Sequence, residues 1–220
     1  MKELVIVGAG SYADLAQYYF ESSGQYRVLA FSVTDEYLAS DTYKEKPLVS
    51  LSNIKDLYPP SRCEIFVAIG YKKLNKERER LFNEVKNHGY ECPSYISPQA
   101  TVLSNENIGE NCLILEDNTI QPFSTIGDNV VMWSGNHLGH HSVVENSVFI
   151  SSHVVVSGNC RISERCFLGV NSTIRDGVVI GHDSMIGAGS LILKNVEPYG
   201  VYSGVEAVRS KVPSTRLRGI

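Results

Sequence analysis

The chain has 220 residues, 43% of them apolar and 20% charged, with a formal net charge of -4. This balance supports a packed core and excludes binding to nucleic acid by bulk charge. No run of about 18 apolar residues occurs and no charged-then-apolar leader opens the sequence, so neither a membrane span nor secretion is expected. The five cysteines, Cys63, Cys92, Cys112, Cys160 and Cys166, are odd in number and form no CxxC pair, which points to buried free thiols in a reducing cytoplasm.

Residues 3–7 form a short apolar run that ends in Gly8-Ala9-Gly10. Helical spacing follows over residues 13–20 and closes at Ser22-Ser23-Gly24. A second apolar run, 26–33, leads to Asp35, and residues 48–51 are short and ambiguous. A buried-type strand over 64–69 ends at Gly70. The pattern predicts a charged helix over 72–87, with Gly89 as its stop. Strands alternating with helices argue for a small parallel α/β sheet. The segment Gly8-Ala9-Gly10-Ser11-Tyr12-Ala13 fits a loose G-x-G-x-x-G/A fingerprint, in which glycines let a phosphate approach a helix N-terminus. A full dinucleotide-binding fold needs two halves and about 150 residues, so a dehydrogenase is not expected. A glycine turn that only packs is the other reading of this segment.

From Ile96 to Ile192 every sixth residue is a bulky aliphatic, seventeen in succession, with Met132 the one thioether. A period of six fits neither a helix nor an ordinary strand. It fits a parallel β-helix, in which three short strands make a coil of about eighteen residues and each face sends one aliphatic inward. The position four residues after each aliphatic is mostly small or branched, as at Ser124, Ser142 and Ser172, and is expected to turn a tight corner. Glycine directly after the aliphatic, as at Gly109, Gly139 and Gly181, is expected to take positive φ at the bend. The register breaks at Pro198. The expected organisation is therefore an α/β unit over 1–95 and a β-helix with a C-terminal tail over 96–220.

The hexads, such as Ile180-Gly181-His182-Asp183-Ser184, resemble those of the left-handed β-helix acyltransferases. Together with the N-terminal Gly-x-Gly unit, the chain resembles the sialic acid O-acetyltransferase/bacillosamine N-acetyltransferase group, which modifies bacterial surface sugars. The resemblance implies a mixed fold, Rossmann-like α/β followed by a left-handed β-helix. It also implies a homotrimer whose active sites lie between adjacent β-helices, with acetyl-CoA as co-substrate and no metal.

The family's general base lies in a segment like Leu138-Gly139-His140-His141-Ser142, which makes His140 the match. An imidazole can accept the proton of an attacking amine or hydroxyl near neutral pH. Register supports the assignment: His140 lies at a corner two residues past Leu138, and the same column holds Gly158 and then Asp176 one and two coils on. The residue after the base is often acidic in relatives and helps to orient it. Here it is His141, with Glu145 or Asn136 as substitutes. A second family histidine, thought to contact the acetyl group, aligns with Phe149, and His153 lies near. By the same resemblance Gly158, Val170, Ala188 and Gly204 line the acetyl-CoA path, with Glu206 replacing the usual proline of the closing segment. In the α/β unit Gly8, Gly10, Ser11, Tyr12, Asp35, Ile69, Gly70 and Tyr71 would hold a nucleotide-linked sugar.

The implied reaction is acetylation of the amine of a nucleotide-linked 4-amino-6-deoxy sugar, with sugar O-acetylation as the alternative. A more distant alternative is a zinc-dependent hydratase of the β-helix carbonic anhydrase type, suggested by His137, His140, His141 and His153. The His-x4-His pair of that class is missing.

Overall fold

The computed structural model describes residues 1–103, 107–207, 209 and 216. Its N-terminal part contains β1 (Lys2–Val7), α1 (Ser11–Ser22), β2 (Tyr26–Val33), β3 (Thr42–Tyr43), β4 (Lys46–Ser50), α2 (Ile54–Leu57), β5 (Glu64–Val67) and α3 (Lys76–Asn87). The sheet order is β3-β4-β2-β1-β5, parallel except for β3. Alternate side chains of β1 point to opposite faces. Leu4 and Ile6 pack with Ala13, Ala16 and Phe20 of α1, while Val5 and Val7 pack with Leu81, Phe82 and Val85 of α3. The charged helix begins at Lys76 rather than at 72. Lys73, Leu74 and Asn75 take φ of 53, 54 and 64°, a left-handed conformation that a right-handed helix cannot incorporate.

The remainder winds into three parallel sheets of two-residue strands. The first face carries Leu113–Ile114, Val131–Met132, Phe149–Ile150 and Phe167–Leu168. The second carries Thr119–Ile120, His137–Leu138 and Val155–Val156. The third carries Thr125–Ile126, Val143–Val144 and Arg161–Ile162. Strands pair with the residue 18 positions on, as Val131 does with Phe149. The last coil is shorter, pairing Ile180 with Val196 and Met185 with Val201. The six-residue series from Ile114 to Ile192 is buried throughout, and Ile96, Val102 and Ile108 of the first coil are partly buried. The small corner position forms a ladder. Ser124, Ser142 and Ser184 each donate to a carbonyl of the next coil at 3.0–3.1 Å, and the thiols of Cys112, Cys160 and Cys166 do the same at 3.1–3.2 Å. Burial pushes the Cys112 and Cys166 thiols up to about 12.

The corner glycines differ from the sequence reading. Gly109, Gly139 and Gly181 are not among the residues with positive φ. They are needed because the next coil's backbone presses on them: a Cβ on Gly139 would lie 2.5 Å from the backbone nitrogen of Gly158. The left-handed residue comes two places later, at Asn111, Asn129, His141, His153, Asn171 and Asp183, with φ between 53 and 60°. Asparagine, aspartate and histidine tolerate this conformation better than most residues do.

The α/β part covers the first face, where Tyr71 packs on Phe149 and Phe167 at 5.1 and 4.8 Å. α3 runs beside the corner between the third and first faces. There Arg78 is fully buried and donates to the carbonyls of Asn129, Ser147 and Val148 and to Asn75 Oδ1. Asn75 in turn donates to the carbonyls of Arg165 and Cys166. Below them Asn111 exchanges hydrogen bonds with the backbone of Val67, at 2.7 and 3.3 Å.

Candidate functional site

His140 stands exposed on the corner between the second and third faces. Its backbone N–H donates to Gln121 Oε1 at 2.9 Å, and its Nδ1 lies 3.1 Å from Nδ1 of His141. The His141 ring rests against Phe123, 4.7 Å between centroids. The Nε2 edge of His140 faces Gly158. A Cβ on that glycine would meet His140 Cε1 at 2.7 Å, Nε2 at 2.8 Å and Asp176 Oδ1 at 3.0 Å. The column expected from register is thus present, with a notch at Gly158 between an imidazole and a carboxylate. Gln121, which accepts from the His140 backbone, and Phe123, which backs the His141 ring, were missed. They lie 19 residues before His140 and 18 before His141, which register arithmetic could have found.

Other expected members of the site lie elsewhere. Asn136 is buried, with its amide donating to the Trp133 carbonyl and its Oδ1 accepting from the backbone N–H of Val154 at 2.7 Å. It shapes a corner and orients no histidine. Phe149 is buried on the first face, stacked 5.6 Å from Phe167 and under Tyr71, away from the His140 corner. Glu145 pairs with Arg161 and accepts the backbone N–H of Glu164 at 3.0 Å, so it does not orient His140. His153 sits on the corner between the first and second faces, its ring against Gly135. Val170, Ala188 and Gly204 stack along that same corner, Gly204 so closely that a Cβ would fall 2.1 Å from the Ala188 carbonyl oxygen. One copy therefore divides the expected residues between two corners, His140 and Gly158 on one and Val170, Ala188, Gly204 and His153 on the other.

In the α/β part, Gly8 has φ of 130° and a Cβ there would lie 2.5 Å from the Ala68 carbonyl oxygen, so this glycine lets β1 and β5 end side by side. Gly10 caps α1 without a side-chain hydrogen bond, and both Gly10 and Gly70 face open space. Ser11 is exposed beside Gly10. The free start of α1 carries the partial positive charge of the helix dipole, which suits an anionic group. The Asp35 carboxylate accepts from the hydroxyls of Ser50 and Ser52. The Ile69 side chain lies beside Gly8, and Tyr71 packs on the coil. Tyr12 turns inward to pack against the cluster that includes Leu113 and Leu115. Its hydroxyl is buried without a hydrogen-bond partner among the described residues, and burial raises its pKa. The side chain of Tyr12 therefore supports the turn and does not line its opening.

A cavity of about 560 Å³ lies at the opposite end of the sheet, lined by Tyr18, Tyr19, Tyr26, Tyr95 and Glu116 among others, and neither His140 nor the glycine turn borders it. Among the described residues no three His, Cys, Asp or Glu side chains converge as a metal-binding group, and no helix is long and apolar enough to cross a membrane.

Two families match the chain: the PglD N-terminal domain over residues 3–85 and the GMPPB C-terminal domain over residues 90–197. Galactoside O-acetyltransferase of Escherichia coli (strain K12) is 30% identical over 155 residues, which cover 59% of this chain and 66% of that protein. Among solved structures, a mutant of perosamine N-acetyltransferase from Caulobacter crescentus, in complex with CoA and GDP-perosamine, superposes with a TM-score of 0.82 at 24% identity, covering 93% of this chain and 94% of that one. The acetyltransferase domain of PglB from Neisseria gonorrhoeae, in complex with acetyl coenzyme A, gives 0.80 at 23% identity, covering 92% and 96%. These likenesses agree with the β-helix expected from the repeat and with the left hand and small α/β unit that the resemblance implies. With a PglD-type N-terminal domain joined to this coil, the chain resembles the hexapeptide-repeat sugar acetyltransferase group.

Proposed function

We propose that the protein transfers the acetyl group of acetyl-CoA to the amine of a nucleotide-linked 4-amino-6-deoxy sugar destined for a bacterial surface glycan, with His140 as general base and no metal. The observation that carries this reading is the exposed His140 ring, steadied at Nδ1 by His141 and turning Nε2 toward the bare Cα of Gly158. Relatives whose structures hold CoA with GDP-perosamine, or acetyl coenzyme A, support the choice of co-substrate and acceptor class. The acceptor's phosphates would lie at the free start of α1, near Gly10 and Ser11, with Asp35, Ile69 and Gly70 around the nucleoside.

The division of the acetyl-CoA residues between two corners supports a homotrimer. In such an assembly the His140 corner of one copy faces the Val170–Ala188–Gly204 corner of the next, and the thioester lies in the crevice. The likeness to galactoside O-acetyltransferase favours a second reading, transfer to a sugar hydroxyl.

The test is a panel of UDP-, GDP- and dTDP-linked 4-amino-4,6-dideoxyhexoses and their 4-hydroxy counterparts with acetyl-CoA, followed by thiol release. Acetylation of an amine acceptor, with a loss of roughly 10²–10⁴-fold in His140→Ala, is the expected result. Full transfer by that variant would overturn the mechanism, and a monomer in light scattering would overturn the assembly.

A further inference from the structure

We propose that Asp176 is a substrate-contacting residue of this site and that its carboxylate selects a cationic amine over a hydroxyl as acceptor. The inference rests on the acetyl-transfer reading above and specifies which atom attacks.

Three observations carry it. First, the point where a Gly158 side chain would begin lies 2.8 Å from His140 Nε2 and 3.0 Å from Asp176 Oδ1. The two acceptors therefore flank one opening, and a nitrogen in front of Gly158 can donate to both. Second, the floor of that opening is fixed by the coil. The Gly158 carbonyl accepts from the backbone N–H of Gly177 at 3.0 Å, and the His140 carbonyl accepts from Asn159 at 2.8 Å.

Third, Asp176 is not engaged by the coil itself. At the corner between the third and first faces, the corresponding Asp128 and Asn146 each accept the backbone N–H of the residue 18 positions earlier, both at 2.8 Å. Asp176 makes no such bond to Gly158 and has no hydrogen bond or ion pair among the described residues. Its carboxylate is exposed and aimed over the glycine.

Acceptor chemistry follows from counting hydrogens. An ammonium or amine has enough N–H groups to donate to the imidazole and the carboxylate together. A hydroxyl has one hydrogen, so a sugar alcohol in the same place serves only one of the two acceptors, and it lacks the positive charge that the carboxylate attracts. The step balances as follows. The bound ammonium releases one proton, and the nitrogen lone pair attacks the thioester carbonyl carbon. The C–N bond forms and the C–S bond breaks. The second proton passes from nitrogen to His140 Nε2 and on to the departing thiolate. The products are the amide, free CoA thiol and one proton.

The experiment compares wild type, Asp176→Asn and Asp176→Glu on the nucleotide-linked 4-amino and 4-hydroxy pairs described above, with thermal melting as the control for folding. Asp176→Asn keeps the shape and removes the charge. The expected result is a loss of roughly 10- to 100-fold in kcat/KM for the amine, carried mainly by KM, as for one hydrogen bond to a charged group. Melting is expected to be unchanged, and Asp176→Glu to recover part of the activity. If Asp176→Asn handles the amine within about twofold of wild type while His140→Ala is inactive, the inference falls and the general-base reading stands. If wild type acetylates the 4-hydroxy sugar as well as the 4-amino sugar, amine selection falls and acetyl transfer stands. If no acceptor is acetylated at all, both fall.

Discussion

The Nδ1 atoms of His140 and His141 lie 3.1 Å apart, with the two rings edge to face. Two neutral imidazoles meet this way only if one donates and the other accepts. When His140 donates from Nδ1, its Nε2 keeps a lone pair directed at the Gly158 notch. His141 therefore acts on the base through its tautomer. His141 itself is in the left-handed region, φ 58°, so the substitution must respect the backbone. His141→Asn retains both a tolerant residue and an acceptor oxygen and should keep most of the activity. His141→Ala should lose roughly 3- to 10-fold in kcat/KM, the worth of one ordinary hydrogen bond, and melt lower because a left-handed alanine costs about 1–2 kcal/mol. Steady-state rates and melting curves of both variants check this.

Gly139 and Gly158 are 19 residues apart on one ridge, and a methyl group on each would meet different obstacles. On Gly158 it would meet the free edge of the His140 ring and the Asp176 carboxylate, both ends of exposed side chains. On Gly139 it would meet the backbone of Ser157 and Gly158 at 2.5 Å. Gly158→Ala should therefore fold with nearly wild-type stability and lose activity by filling the notch. Gly139→Ala should destabilise the coil by about 1–3 kcal/mol, as overpacking does. Equal melting temperatures for the two would contradict this assignment.

The coil was legible because its inward residues face only their counterparts in neighbouring coils, so the period of six reaches the sequence undisturbed from Ile114 to Ile192. The corner chemistry was harder to read. Glycine after the aliphatic suggests positive φ, whereas it is backbone crowding that excludes a side chain at Gly139 and the left-handed residue is His141 two places on. The shorter last coil shows in the sequence only as the break at Pro198: Ile192 keeps the repeat, and Val196, two residues early, pairs with Ile180 in place of the next inward aliphatic. At the site, column arithmetic placed His140, Gly158 and Asp176 together. Alignment to relatives did not show that Phe149 is buried under Tyr71, because alignment does not say which face is covered. Aromatic Phe167 one coil on and Trp133 one coil before are the signal that this face packs against the α/β part.

Arg78 has no carboxylate partner at all among the described residues: its donors are taken by three carbonyls and the Asn75 amide oxygen. Burial alone brings its guanidinium down to about 10, still cationic at neutral pH. Arg78→Met should take this donor from the Asn129 and Ser147 carbonyls at the ridge that seats α3, while the Val148 carbonyl keeps the Val131 N–H at 3.0 Å, a cost of about 1–3 kcal/mol for each group left buried and unpaired. The coil keeps its own core, so the loss should appear first in the α/β part. Hydrogen exchange is the measurement. Faster exchange at β1 and β5, with the coil amides unchanged, is the expected pattern, and uniform acceleration would show that Arg78 supports the coil instead.

Asp183 supplies a pH dependence of stability. Its side chain is only 4% exposed and receives Arg165 Nη2 at 3.0 Å, Lys76 Nζ at 3.2 Å and His182 Nδ1 at 2.9 Å. The Arg165 guanidinium in particular holds this carboxyl far below the usual range, against the opposing effect of burial. A carboxylate with a depressed folded pKa binds protons more readily when unfolded. Its stabilising contribution is therefore complete above the ordinary aspartate pKa of about 3.9 and is lost as pH falls toward the folded value. Asp183→Asn keeps a residue that tolerates φ of 55° and removes only the charge. Urea midpoints of wild type and variant should differ by a constant amount from pH 7 to about pH 5 and converge below about pH 4. A constant gap down to pH 3 would mean that the pairs around Asp183 contribute no pH-dependent stability.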